Sequence, residues 1–255
     1  MSETMTHKIT LSARSKHPTL PIGRFLAENF GSINLQDVDS IFGFNAPCKM
    51  YGGRQFVLPE LSDADLAWMY DYDIGYRIPL TSMLIDDKMY NEGKRFLQKH
   101  HRQGNSVILV SDEVAVKIRN DFPLYSIECS VIKALNTKEK VESVLSIFDT
   151  AVPLPEVFNT DFELLNSFSQ EVKDRMRLFL TIGCSYHCPG RICYGSFSRM
   201  NRGDADAKFE CSQMENKKNY VPAGMVDFDM EKYLEIGFSK FKMLRVKPSA
   251  IPTGY

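Results

Sequence analysis

The chain has almost no excess of either charge: 31 Lys and Arg stand against 32 Asp and Glu, a formal charge of −1 over 255 residues. That balance excludes a protein whose whole surface binds phosphate, although it leaves room for a local basic groove. No run approaches the roughly 18 consecutive apolar residues of a membrane helix. The opening MSETMTHKITLSARSKHP lacks the apolar centre of a secretory leader, so a cytoplasmic location is expected. No Gly-x-Gly-x-x-Gly turn follows an early strand, and Gly52-Gly53 lies in a loop without that spacing. No phosphate loop of the Walker type occurs either, so no dinucleotide or nucleotide cofactor is expected. The peptidase signatures His-Glu-x-x-His and Gly-x-Ser-x-Gly are also missing, and His100-His101 supplies neither.

What is present can build a core. Hydrophobic residues make up 44% of the chain and aromatics 11%, which excludes global disorder. From residue 38 onward strand-like apolar runs (40–45, 76–84, 106–110, 125–132, 151–154, 177–182 and 240–246) alternate with amphipathic segments at 63–72, 89–102, 112–121, 138–148, 162–172 and 230–236. Asp112 and Thr137 are suited to start helices, and Phe122-Pro123 to stop one. This alternation implies parallel βαβ units. The fold expected is α/β: a TIM-like (β/α) barrel or an incomplete barrel variant, in preference to a doubly wound sheet. Residues 1–37 are expected to form a polar, flexible start and a short helix within 20–35, with 38–255 as a single barrel-like domain. In such a barrel the chemistry lies on loops at the C-terminal ends of strands. The strand ends carry Asn45, Thr81, Ser82, Ser111, Glu128, Ser130 and Glu156.

The six cysteines are distributed unevenly. Cys184, Cys188, Cys193 and Cys211 fall within 28 residues, unlike the scatter of buried structural thiols, and a cytoplasmic chain of this size has no need of disulfides. Their segment begins after the sixth of the expected strands, where a barrel places its site. Pro189, Gly190 and Gly195 favour a tight loop there. Four thiolates complete either a zinc site or a [4Fe–4S] cluster. Three cysteines on one short loop with a distant fourth favour the cluster over the paired Cys-x-x-Cys turns of zinc knuckles. Cys129, in the apolar stretch SIECSVI, reads as core. Cys48 follows a strand end and is an alternative fourth ligand. His187 lies inside the loop.

These residues resemble the hallmark of the collagenase-like peptidase family, which includes accessory proteins of ubiquinone biosynthesis and of RNA hydroxylation. The matching residues are Cys184, Gly190-Arg191 with Cys193, Asn201-Arg202-Gly203, and Cys211. The late stretch YLEIGFSKFKMLR, with Gly237, Lys242 and Arg245, is similar to a second family element. Cys188 stands between the first two matching positions as an additional thiol. The resemblance spans roughly residues 38–247 and implies a TIM-like barrel with an oxygen-sensitive [4Fe–4S] cluster. Arg191, Asn201 and Arg202 would then lie beside the cluster, with Lys242 and Arg245 adding positive potential as substrate-binding residues. It also implies hydroxylation or related modification of RNA or a small aromatic substrate, with a related partner subunit as a further expectation. A peptidase is the first alternative. A zinc-stapled, non-enzymatic binding module with Arg191, Arg199 and Arg202 as basic neighbours is the second.

Overall fold

The structure is a computed structural model, and it describes residues 6–183, 185, 186, 188, 190–212 and 226–244. Nine strands are present among them: β1 (Lys8–Ser12), β2 (Val38–Phe42), β3 (Gly75–Leu80), β4 (Ser106–Leu109), β5 (Ser126–Cys129), β6 (Thr150–Ala151), β7 (Leu178–Ile182), β8 (Val226–Asp227) and β9 (Lys240–Met243). They form one curled sheet in the order β6-β5-β4-β3-β2-β1-β9-β7-β8, and every neighbouring pair is parallel except β7 with β8. The two flanks meet where Ala151 bridges Met176, just ahead of β7. The Ala151 amide donates to the Arg175 carbonyl and the Arg177 amide to the Ala151 carbonyl, both at 2.9 Å. The result is the expected α/β architecture, an incomplete TIM-like barrel with a narrow seam between β6 and β7.

The helices lie outside the sheet: α1 (Ile22–Phe30), α2 (Asp63–Asp71), α3 (Asp87–His100), α4 (Asp112–Asp121), α5 (Lys138–Val144), α6 (Pro155–Phe158), α7 (Phe162–Asn166), α8 (Gln170–Lys173), α9 (Cys193–Asn201) and α10 (Met230–Glu235). Side-chain caps set several of their starts. Ser62 and Asp65 form a capping box on α2, Asp86 caps α3, and Thr137 caps α5. The cap of α4 is Ser111 rather than Asp112. The helix expected over 162–172 is two, because the Ser169 hydroxyl accepts the Val172 amide and starts α8 anew.

The expected flexible start is a correction. From Lys8 the chain is a central barrel strand, paired with β2 on one side and β9 on the other. The barrel therefore begins ahead of residue 38, and the cysteine segment follows the seventh strand instead of the sixth. Every second residue of β1 faces the lumen, where Thr10 and Ser12 are buried among polar groups, so its pattern reads as polar. Among the described residues no helix is long and apolar enough to cross a membrane.

Two apolar layers hold the barrel. The larger lies between strands and helices and includes Leu11, Ile41, Tyr76, Ile78 and Phe241. The smaller, with Phe42, Ile108, Val152, Phe179 and Leu244, is contributed by inward-facing strand residues and their extensions. Ionic groups lie beside it in the lumen. Glu128 accepts from Arg77 Nη1 at 2.7 Å, Arg177 Nε at 2.8 Å and Lys242 Nζ at 3.0 Å. Arg177 Nη2 also reaches Asp39 Oδ2 at 2.9 Å. Asp39 is the extra residue where β2 shifts register against β1, a bulge that re-aims its side chain. Its Oδ1 accepts from the Thr10 and Ser40 hydroxyls at 2.9 and 2.8 Å.

Burial by itself raises a carboxyl pKa, but here the neighbouring cations win. Arg77, Lys242 and Arg177 hold Glu128 down at about 2, and Arg177 and Arg77 hold Asp39 well below the carboxylate range. Removing the charge of Glu128 leaves three buried cations short of a partner. Glu128→Gln is expected to lower unfolding stability by about 3–5 kcal/mol in urea titrations, and a loss below about 1 kcal/mol would contradict the central role of this carboxylate. Its folded pKa is depressed, so its contribution is present above the unfolded value and is lost as the pH falls through the folded one. Stability of the wild type should therefore fall between about pH 4.5 and 2 more steeply than that of Glu128→Gln.

Candidate functional site

The C-terminal ends of the strands enclose a cavity of about 50 Å³. Phe42, Pro79, Ile108 and Phe179 form much of its wall, with Leu244 from the end of β9 and Tyr194 from α9. Its polar groups are Thr81, Ser130, Lys242 and Arg54. Lys242 is buried, its ammonium 4.6 Å from the centroid of the Phe42 ring. Burial lowers its pKa, and Glu128 acts against that shift.

A larger groove of about 550 Å³ shares Phe44 and Arg54 with this cavity. Arg14, Lys16 and His17 from the β1 loop and Val57 and Leu58 from the β2 loop line it, together with Phe197 and Phe209. The last two stack with ring centroids 5.1 Å apart. Lys16 is paired with Asp65 at 2.8 Å, and Arg54 with Glu60. The Arg54 guanidinium also lies 3.9 Å over the Phe44 ring. The sequence reading missed Arg54 and this groove. The available signal was the Gly52-Gly53-Arg54 run. A Cβ on Gly52 would lie 2.2 Å from the Thr81 carbonyl oxygen, so a side chain there would separate the β2 and β3 loops.

The cysteine segment lies over the same face. Arg191 adopts a left-handed backbone with φ 48°. Its amide donates to Cys188 Sγ at 3.3 Å and its guanidinium to the Ser185 carbonyl and to Glu156. The segment carrying Cys211 returns to this turn: a Cβ on Gly190 would be 2.5 Å from Ser212 Oγ, and the Glu210 amide donates to Ser196 Oγ at 3.2 Å. Cys193 opens α9 and is buried with Tyr194 and Phe197. Burial, followed by the charges of Cys188 and Cys211, pushes its thiol up to about 11. Cys193 is thus near enough to Cys188 and Cys211 to feel each of them. Among the described residues no three His, Cys, Asp or Glu side chains already stand at metal-holding distances. Cys184, His187 and Arg245 lie outside the described residues. The donor types suit a thiolate-bound metal: Cys188 and Cys193 flank one turn, the stretch bearing Cys211 returns to it, and Cys188 already accepts an amide proton.

The other expected site residues divide clearly. Asn201 holds a loop: its Nδ2 donates to the Tyr51 and Arg54 carbonyls at 3.0 and 2.8 Å, and its Oδ1 accepts the Phe56 amide at 2.8 Å. Arg199 pairs with Asp204 at 2.8 Å, and Arg202 lies 3.9 Å from the same carboxylate. The positive charge of the segment is thus met locally. Cys129 is core in β5. Cys48 packs against the outer core, and burial pushes its thiol up to about 11. It is a neighbour of Tyr51 and Tyr76. Among the strand-end residues, Glu128 anchors the lumen, Thr81 and Ser130 line the cavity, and Ser111 is a helix cap.

No family model and no curated protein matches the chain. Among solved structures it is similar to that of a U32 peptidase, Mk0906, with a TM-score of 0.63 and 13% identity over 98% of this chain and 96% of that one. At that identity the likeness shows a common fold along nearly the whole length of both chains.

Asn201 makes the β2 loop dependent on α9. Asn201→Ala removes three side-chain hydrogen bonds and is expected to cost about 1–3 kcal/mol. Limited proteolysis should then cut within 51–58 faster than in the wild type. An unchanged cleavage rate would show that the loop holds its place without Asn201.

Proposed function

We propose that this chain is an iron–sulfur protein that modifies a small aromatic substrate at the C-terminal mouth of its barrel. The observation that supports this reading is that the turn bearing Cys188, the start of α9 at Cys193 and the stretch bearing Cys211 come together beside Tyr194, which lines the cavity. Cys184, Cys188, Cys193 and Cys211 would hold a [4Fe–4S] cluster, and Cys48, among the outer-core tyrosines, is the less suited fourth donor. A bound cluster would supply redox or Lewis-acid chemistry. The chain's own residues would do the rest. Phe42, Phe179 and Tyr194 exclude water from the cavity and offer aromatic walls. Arg54, held by Glu60 and Phe44, marks the passage from groove to cavity. The pairing of Lys16 and Arg54 with carboxylates supports a small substrate over RNA, because a phosphate backbone is bound by cations with charge to spare.

The peptidase reading is favoured by one observation, the shared fold with a U32 peptidase. The groove beside Val57 and Leu58 would then take an extended peptide. Cleavage of peptides by purified protein, lost in a point variant of the groove, would establish it.

Anaerobic purification tests the main reading. Iron and acid-labile sulfide should be present in equal amounts, with broad visible absorption. Cys188→Ser and Cys193→Ser should each abolish it, whereas Cys48→Ser should keep it. Stoichiometric zinc without iron would favour a structural zinc site, and protein free of both metals would refute a metal centre.

A further inference from the structure

The geometry points to a carboxylate-binding pocket in the barrel-mouth cavity, with Lys242 Nζ and the hydroxyls of Thr81 and Ser130 as its donors. This names the chemical class of the substrate at the proposed site, and it rests on the reading of the mouth as that site.

Three observations converge on it. The first is charge. Arg77, Arg177 and Lys242 face Asp39 and Glu128 in the lumen, so three cations meet two carboxylates. Both arginines are shared between the two carboxylates, whereas Lys242 touches Glu128 alone. The surplus positive charge therefore falls nearest Lys242, the one of these three cations that lines the cavity. A buried ionic cluster with a net positive charge is costly, and an anion arriving beside it relieves that cost.

The second is the supply of protons. An ammonium has three N–H bonds. Among the described residues one of those on Lys242 goes to Glu128, and the ammonium otherwise lies over the Phe42 ring. The Thr81 hydroxyl accepts the Gly53 amide at 2.8 Å, and the Ser130 hydroxyl accepts the Ile132 amide at 3.2 Å. Each hydroxyl accepts from the backbone, and among the described residues its own proton goes to no partner. All three residues are buried, so their donors are fixed ahead of any ligand.

The third is size and wall chemistry. About 50 Å³ is room for roughly one or two waters, which suits the planar carboxylate end of an acid and not its whole body. Three donors can serve its two oxygens, while the four oxygens of a phosphate would meet apolar wall. The rest of the acid would extend past Tyr194 towards Arg54 and the groove.

Benzoate and its neutral isostere benzamide test the pocket by calorimetry on the full-length protein, with iron measured on the same preparation. The wild type should bind benzoate about tenfold or more tightly than benzamide, the scale of a charge-assisted contact. Lys242→Met should remove that preference. Ser130→Ala should weaken benzoate by about three- to tenfold and leave benzamide nearly unchanged. Equal affinities, no binding of either compound, or a folded Lys242→Met that keeps the preference would overturn the inference. If Lys242→Met does not fold, Ser130→Ala decides, and unchanged benzoate affinity overturns it. Preference for benzoate in iron-free protein supports the pocket while removing the cluster reading. Iron without that preference leaves the cluster and removes the pocket.

Discussion

Glu128 is the point on which the barrel's interior turns. One carboxylate on β5 ties Arg77 of β3, Arg177 at the entry to β7 and Lys242 of β9. The seam between β6 and β7 rests on a two-residue strand and one bridge, so backbone pairing across it is slight. Glu128 and Asp39, both bound to Arg177, strap that seam from inside. The bulge that turns Asp39 inward belongs to the same device. A buried network of this kind is a poor source of net stability compared with apolar packing. What it contributes here is register and a charged group facing the mouth.

That charged group links fold to site. Lys242 has one partner in the lumen and one side towards the cavity. Above it, the cysteine segment is held in place by contacts that do not involve metal. Arg191 fastens the turn to Glu156 and Ser185, Gly190 admits Ser212, and Asn201 grips the β2 loop. The thiols are therefore presented by a loop whose backbone is already specified. The same segment thus carries the clustered cysteines and, through Tyr194, part of the cavity wall.

Much of this was legible in the sequence. The strand and helix rhythm identified the barrel because seven of its strands carry apolar residues on at least one face, and the cysteine segment was expected after a strand end, where its described part lies. β1 was not legible. Its five residues give the lumen Thr10 and Ser12, and a short strand with a polar inner face looks like a tail. For the same reason Asp39, Arg77 and Arg177 drew no notice: a charge within a strand has no signature of being buried with partners distant in sequence. Glu128 was noticed as a strand-end residue and Lys242 in the late family-like stretch, yet nothing in their spacing showed that they touch. Asn201 and Arg202 illustrate the opposite limit. The family-like motif drew attention to them as site residues, whereas the structure uses Asn201 to hold a loop and sets Arg202 near Asp204.

The central proposal is that Cys184, Cys188, Cys193 and Cys211 hold an iron–sulfur cluster at the mouth of this barrel. X-ray absorption at the iron edge, on protein purified without oxygen, reads the ligand atoms directly. The account expects iron surrounded by sulfur alone, with an iron–iron scattering component, and loss of both in Cys193→Ser. Iron bound through nitrogen and oxygen, or a wild-type spectrum that survives Cys193→Ser unchanged, would contradict it.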